Sequence, residues 1–70
     1  MYELWESSGA NLIAEFPTQE KALRAVRQEL DSRGESDLRT WLLTLEDETG
    51  ETTYIAEGDA LVELARSIPA

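Results

Sequence analysis

The fold is decided by the stretch of residues 11–23, which reads NLIAEFPTQEKAL. Its first six residues are rich in branched and aromatic side chains, a composition typical of a β-strand. Pro17 has no N–H to donate to a strand ladder, and Thr18 is a good N-cap for a helix. Apolar residues then recur at helical spacing from Lys21 to Asp31. The stretch therefore predicts a strand that passes directly into a helix.

A second strand is predicted immediately upstream. Residues 2–6 are again aromatic and branched, and the intervening residues 7–10, Ser-Ser-Gly-Ala, suit a hairpin turn. Downstream, the helix is predicted to end at Gly34, which begins a polar connection, Glu35-Ser36-Asp37. The first half thus reads strand, strand, helix.

The second half repeats this plan. Strands are predicted over residues 41–45 and 52–56, with a turn at residues 48–51. Gly58-Asp59 then opens a short helix that Pro69 ends. Identity between the halves is too low to claim a duplication. The pattern predicts a single α+β domain of residues 1–70, a two-layer ββαββα fold whose four-stranded sheet carries two helices on one face.

Alternation along the strands divides the predicted sheet into two faces. The core face is predicted to hold Tyr2, Leu4, Leu12, Ala14, Phe16, Trp41, Leu43, Leu45 and Ile55. The other face is predicted to hold Glu3, Trp5, Ile13, Glu15, Leu42, Thr44, Tyr54 and Ala56. That second set is more apolar than a solvated face needs. Either a helix or the C-terminal tail covers it, or it is an interface formed by Trp5, Ile13, Leu42 and Tyr54.

Composition excludes many kinds of chemistry. The 70 residues include 15 Asp and Glu, 6 Lys and Arg, and neither His nor Cys, for a formal net charge of -9. Thiolate nucleophiles, disulfides, the usual zinc sites and imidazole acid-base catalysis are therefore impossible. A small two-layer domain also has little material for a cleft that would raise the pKa of a carboxyl group. We expect no enzyme activity, no catalytic residue, no metal and no cofactor.

The acidic turn of residues 46–51, Glu-Asp-Glu-Thr-Gly-Glu, raises the question of a calcium site. Calcium takes several carboxylate oxygens from a turn that bends at glycine. The spacing differs from that of the EF-hand loop, which needs acidic or amide residues at alternate positions. A solvated hairpin tip, with Gly50 at the bend, is the favoured interpretation.

Size and charge bear on partners. Area scaling gives a 7.9 kDa chain about 11,500 Å² of surface unfolded and about 4,400 Å² folded, which leaves a thin core. Small domains often add a partner subunit, so we expect a homodimer. Acidic residues concentrate in the second half, whereas Lys21, Arg24 and Arg27 form a basic stripe on the first helix that Arg33 extends. A basic protein is an easier partner than nucleic acid, which needs a basic surface.

No apolar run approaches the length of a membrane-spanning helix, and the N-terminus has no signal-peptide pattern. We therefore expect a cytoplasmic protein that does not associate with membranes.

Several phrases match a known arrangement, namely Tyr2-Glu3-Leu4-Trp5, Gly9-Ala10-Asn11-Leu12-Ile13, Phe16-Pro17-Thr18-Gln19-Glu20-Lys21-Ala22-Leu23 and Ile55-Ala56-Glu57-Gly58. Together they resemble small bacterial domains of unknown function, frequent in actinobacteria. In these domains a strand, a glycine turn, a strand and an aromatic-x-Thr-x-x-x-Ala helix precede a second hairpin. The resemblance spans most of the chain. It implies a ββαββα fold and a bacterial cytoplasmic origin, and it assigns no functional residue.

Three functional hypotheses follow. The first is a non-enzymatic interaction module that dimerises through the candidate interface and presents acidic surface to a protein partner. The second is a DNA mimic or inhibitor of a basic protein, with carboxylates at Glu46, Asp47, Glu48, Glu51, Glu57 and Asp59. The third is a small-ligand sensor, which requires a pocket beside Trp5 or Trp41.

Overall fold

The computed structural model describes residues 1–68 and has the predicted α+β architecture. Its elements are β1 (Tyr2–Glu6), β2 (Asn11–Phe16), α1 (Gln19–Arg33), a 3₁₀-helix (Glu35–Thr40), β3 (Trp41–Glu46), β4 (Thr52–Glu57) and α2 (Asp59–Arg66). The predicted order of strands and helices, ββαββα, is confirmed. The helix stop predicted at Pro69 lies outside the described residues.

The sheet is antiparallel throughout, with the strand order β2-β1-β3-β4. The first strand of each hairpin therefore lies in the centre, where Leu4 of β1 pairs directly with Leu43 of β3. Helix α1 packs against β1 and β2, and α2 packs against β3 and β4. Each ββα half thus covers its own hairpin, in keeping with the plan that the sequence repeats.

The boundaries of α1 follow from its capping residues. The side chain of Thr18 accepts a hydrogen bond from the Lys21 N–H at 3.2 Å, which satisfies one of the free donors at the start of the helix. At the other end Gly34 has φ 89°, a conformation that favours glycine, and its N–H donates to the Leu30 carbonyl at 2.9 Å. Both ends were predicted from the identity of these residues.

The core lies between the sheet and the helices. Its buried residues come from both halves of the chain and form one cluster: Leu4, Ala22, Leu23, Val26, Leu38, Leu43, Ala56, Leu61, Val62 and Ala65. The accessible surface of the protein is 4401 Å², in line with the value of about 4,400 Å² expected for a compact monomer of this mass.

The connection after α1 is more structured than a polar linker. Residues 35–40 form the 3₁₀-helix, and its Leu38 is fully buried beneath α1 and α2. A single apolar residue among polar neighbours gives no periodic pattern, so the sequence shows only the polar connection. Leu38 closes the end of the core where the two helices meet.

Two β-bulges correct the predicted faces. In β2 the partner of Leu4 is Ala14 and the partner of Trp5 is Leu12, so Ile13 has no partner of its own. In β4 the pairing steps in the same way from Ala56 to Tyr54, past Ile55. A bulge inserts one unpaired residue and shifts alternation by one beyond it.

The predictions for Leu12 and Ala56 were therefore wrong. Leu12, predicted in the core, lies on the opposite face beside Trp5 and is 44% exposed. Ala56, predicted on that opposite face, is buried in the core beside Leu43. The sequence cannot predict either position by strict alternation. The unpaired residue at each bulge is an isoleucine, which is common in regular strands and gives no sign of a bulge.

Candidate functional site

The sheet surface opposite the helices is the candidate site, and we call it the open face. Cross-strand pairing places its residues in two rows across the sheet. The first row runs Leu12, Trp5, Leu42, Glu57, and the second runs Glu15, Glu3, Thr44, Tyr54. Ile13 lies at the bulge between them on β2. Within residues 1–68 both helices pack on the other side of the sheet.

The first row is an uninterrupted apolar strip over three strands. Trp5 and Leu42 are direct partners on the two central strands, and Leu12 extends the strip onto β2. Leu12, Ile13 and Tyr54 are 44%, 41% and 59% exposed. Single exposed apolar residues are ordinary, but a contiguous group of this kind marks an interaction surface more often than a solvated one.

Trp5 is oriented by a hydrogen bond to Thr44, which belongs to the second row of the open face. Its indole Nε1–H donates to Thr44 Oγ1 at 3.1 Å, and the Thr44 hydroxyl in turn donates to the Glu3 carbonyl at 3.4 Å. Thr44 is only 7% exposed although it lies on the open face. The polar edge of the indole is thus satisfied within the protein, and the Trp5 side chain is partly exposed on the open face.

The second row begins with a pair of like charges. Glu3 of β1 and Glu15 of β2 are direct cross-strand partners. Side chains at such positions are about 5 Å apart at Cβ, and like charges directly opposite each other destabilise a sheet. No Lys or Arg is present on either strand. The open face therefore carries an uncompensated charge repulsion beside its apolar strip.

Charge is divided between the two layers of the fold. The four strands and their two hairpin turns carry eight carboxylates and no lysine or arginine. The remaining segments carry seven carboxylates together with all six cations. The acidic second half seen in the sequence is thus part of a wider pattern in which almost the whole net charge belongs to the sheet layer.

The predicted basic stripe on α1 is largely neutralised. Arg24 bonds to Glu20 at 2.9 Å, and Arg27 bonds to Asp31 at 3.4 Å. Arg27 also donates to the carbonyl of Ile68 at 3.1 Å. These i,i+4 pairs lie on the exposed helix surface, where they contribute a few tenths of a kcal/mol each, about 0.3–0.5. The stripe is therefore a solvated helix face on which arginines are paired with acidic residues of the same helix.

The acidic hairpin tip is organised around Asp47. Its carboxylate accepts from the Thr49 hydroxyl at 2.6 Å, the Thr49 N–H at 2.9 Å and the Glu51 N–H at 3.1 Å. These bonds, the Thr49 hydroxyl first, lower the pKa of Asp47. Within residues 1–68 no group of three or more acidic side chains is placed to hold a metal ion. The Asp47 carboxylate therefore stabilises the backbone of its own turn.

A second carboxylate joins the two halves of the chain. Glu6 accepts from the Ser8 hydroxyl at 2.7 Å, the Gly9 N–H at 3.0 Å and the Thr40 hydroxyl at 3.1 Å. The pKa of Glu6 is lowered by these bonds, most strongly by the one from Ser8. Ser7 adds two bonds to the Thr40 carbonyl from its N–H and its hydroxyl. Glu6 thus fastens the first hairpin to the start of β3.

The carboxylates proposed for DNA mimicry fall into two groups. Glu46 pairs with Thr52 at one end of the β3–β4 ladder, next to the hairpin tip. Glu57 pairs with Leu42 at the other end, and Asp59 begins α2 beyond it. The six residues therefore do not form one continuous acidic array like the phosphates of a duplex.

Two surface grooves are formed by residues within the range 1–68, and the first of them shares Glu15 with the open face. One, of about 590 Å³, is lined by Met1, Glu15, Leu45, Glu46, Asp47, Glu48 and Thr49. The other, of about 420 Å³, is lined by Arg27, Leu30, Asp31, Gly34, Glu35 and Arg66. Neither is lined by Trp5 or Trp41, the residues beside which the sensor hypothesis requires a pocket.

None of the helices in residues 1–68 has the length and apolar character that crossing a bilayer requires. Comparison of the chain with protein-family models, with curated proteins and with solved structures found no match.

Proposed function

We propose that this chain is a non-enzymatic protein-interaction module that binds another protein through the open face. The observation that carries the proposal is the contiguous strip of Leu12, Trp5 and Leu42, flanked by Ile13 and Tyr54. Burying such a strip against a partner releases about 25 cal/mol for each Å² of apolar surface removed from water.

The fixed orientation of Trp5 supports this proposal. Interface energy is concentrated in a few residues, among which tryptophan and tyrosine are over-represented. A side chain that is already ordered loses little conformational freedom on binding. The bond from Trp5 to Thr44 supplies that order before any partner arrives.

The bulges in the edge strands also favour binding through the open face over the addition of a partner strand at an edge. An exposed edge strand can bind an extended peptide as one more strand. Both edge strands here, β2 and β4, contain a bulge that interrupts a regular row of hydrogen-bonding groups. Strand addition is therefore disfavoured on both sides.

The two carboxyl groups with shifted pKa values, Glu6 and Asp47, support a non-enzymatic role. A general acid at neutral pH requires a carboxyl group whose pKa is raised by burial or by a neighbouring charge. The carboxyl groups of Glu6 and Asp47 have pKa values shifted in the opposite direction, by hydrogen bonds that favour the charged form. Both groups serve turns of the backbone.

Site-specific photo-cross-linking in the source organism tests the proposal. A photoreactive phenylalanine analogue replaces Tyr54 on the open face, and the matched control carries it at Gln28, which lies on α1. We expect discrete covalent adducts from position 54 only, and their loss when Leu42→Glu is added.

Equal labelling at both positions, or adducts that survive Leu42→Glu in a folded variant, would overturn the proposal. The mass of the adduct identifies the occupant. A product of twice the mass of the chain indicates the homodimer, which stays a prediction, and other masses indicate a different protein.

A further inference from the structure

We infer that the occupant of the open face is a different protein with an apolar anchor and an adjacent arginine or lysine, rather than a second copy of this chain. This inference rests on the proposed function. It specifies the partner from the charges that surround the apolar strip.

The charge repulsion between Glu3 and Glu15 indicates what a partner would supply. These two carboxylates face each other across neighbouring strands with no cation on either strand. The pairing lowers the stability of the free protein, since a neutral or opposite-charge pair would stabilise the sheet there. A guanidinium or ammonium group placed between the two would replace this repulsion by attraction.

The acidic pair lies close to the apolar strip. Glu3 lies two residues from Trp5 on β1, so the two side chains share a face about 7 Å apart. On β2, Glu15 likewise lies two residues from Ile13, the bulge residue beside the strip. A partner that buries an apolar side chain against Trp5 therefore brings its neighbouring residues over the acidic pair. Arginine suits the position best, because its planar group can bond to two carboxylates at once.

The absence of cations from the sheet layer argues against a second copy. Two open faces in contact would bring Glu3, Glu15 and Glu57 of each copy together without a lysine or arginine, because the strands and hairpin turns carry neither residue. The lysine and arginine side chains of this protein lie on the helices, where Arg24, Arg27 and Arg66 are already paired with acidic residues. Charge complementarity favours a partner that supplies the positive groups itself.

Selection from a display library of random dodecapeptides, with the purified full chain as bait, tests the inference. We expect the recovered peptides to combine an aromatic or aliphatic residue with arginine or lysine. Their affinity is then measured for the double variant Glu3→Gln/Glu15→Gln and for the control Glu48→Gln/Glu51→Gln, which removes the same charge at the hairpin tip. We expect about tenfold weaker binding to the first variant and little change with the second.

The outcomes separate the two proposals. Peptides that need Leu42 but bind both double variants equally would overturn the inference and leave the proposed function standing. The inference also fails, and the proposed function stands, if light scattering shows a dimer that Leu42→Glu dissociates and Glu3→Gln/Glu15→Gln leaves intact. Peptides indifferent to Leu42→Glu, or no peptides at all, would overturn both.

Discussion

The two faces of the sheet are built from the same strands, yet they differ in what their residues contact. On one face Leu4 and Leu43 pair at the centre of the core and are almost completely buried. On the other face Trp5 and Leu42, their neighbours on the same strands, pair beside a repelling pair of glutamates. Apolar residues serve stability on one face, whereas on the other they remain in contact with water.

The difference shows that apolar content alone does not identify a core. On the buried face no cross-strand pair joins two charged residues, and the helices supply apolar side chains that complete the core. The open face combines apolar side chains with acids that nothing on the strands balances. Such local conflicts with folding are typical of surfaces retained for binding.

The largest expected effect is the difference in stability lost when Leu43 or its neighbour Leu42 is replaced by alanine. Leu43→Ala should lower the free energy of unfolding by about 2–5 kcal/mol, because it leaves a cavity in a fully buried position. Leu42→Ala should cost less, since that side chain is only partly buried. Urea unfolding followed by tryptophan fluorescence measures both, and equal losses would show that the open face is part of the stabilising core.

A second comparison concerns the two residues that the bulges move between faces. Ala56→Leu should destabilise the protein by about 1–3 kcal/mol, since it forces extra volume into the core beside Leu43. Leu12→Ala should cost no more than about 1 kcal/mol, because Leu12 is 44% exposed and loses only its cross-strand contact with Trp5. Thermal unfolding of the two variants measures these losses. A larger loss for Leu12→Ala than for Ala56→Leu would indicate that both strands alternate strictly, without the bulges.

A smaller effect is expected at the pair of like charges. Glu15→Lys should raise the free energy of unfolding by about 0.2–1 kcal/mol, because it converts a repelling cross-strand pair with Glu3 into an attractive one. The control Glu51→Lys makes the same charge change at the hairpin tip. The difference between the two variants should shrink in high salt, and its absence in low salt would mean that the two carboxylates do not interact.

The smallest effect is a dependence on pH at Glu6. Hydrogen bonds from Ser8 and Gly9 lower its pKa from the ordinary value of 4.5, so the folded state favours the charged form. The contribution is complete above that ordinary value and is lost as the pH falls through the lowered pKa of the folded state. Glu6→Gln should therefore flatten the fall in stability below pH 4.5.

Denaturant titrations at several pH values measure that slope, with Glu48→Gln as a control for loss of charge at an exposed turn. If the Glu6→Gln variant keeps the slope of the original protein, the bonds from Ser8 and Gly9 do not stabilise the charged group.

Much of this architecture follows from local sequence. Thr18 and Gly34 set the limits of α1 through capping, and the spacing of Ala22, Leu23 and Val26 identifies its buried side. The hairpins follow from turn residues between runs of branched and aromatic residues. These signals act over a few residues, which is why they are readable without knowledge of the fold.

The features that sequence alone could not supply depend on pairing between distant segments. The bulge at Ile13 is defined by the register of β2 against β1, and neither strand contains a glycine or proline to mark it. The burial of Leu38 requires both helices to meet above it. For the candidate interface, Trp5, Ile13, Leu42 and Tyr54 follow from alternation, whereas Leu12 joins them only through the bulge.

The bulge in β2 affects the edge of the sheet as well as its face. Removal of Ile13 alone would make Leu12 and Ala14 consecutive, so β2 would pair with β1 in continuous alternation with every existing partner unchanged. Leu12 would keep its place beside Trp5, and the open face would lose only the side chain that flanks the apolar strip at the bulge. A single-codon deletion in β2 would thus leave the apolar strip in place and give an edge strand the regular row of hydrogen-bonding groups that the bulge now interrupts.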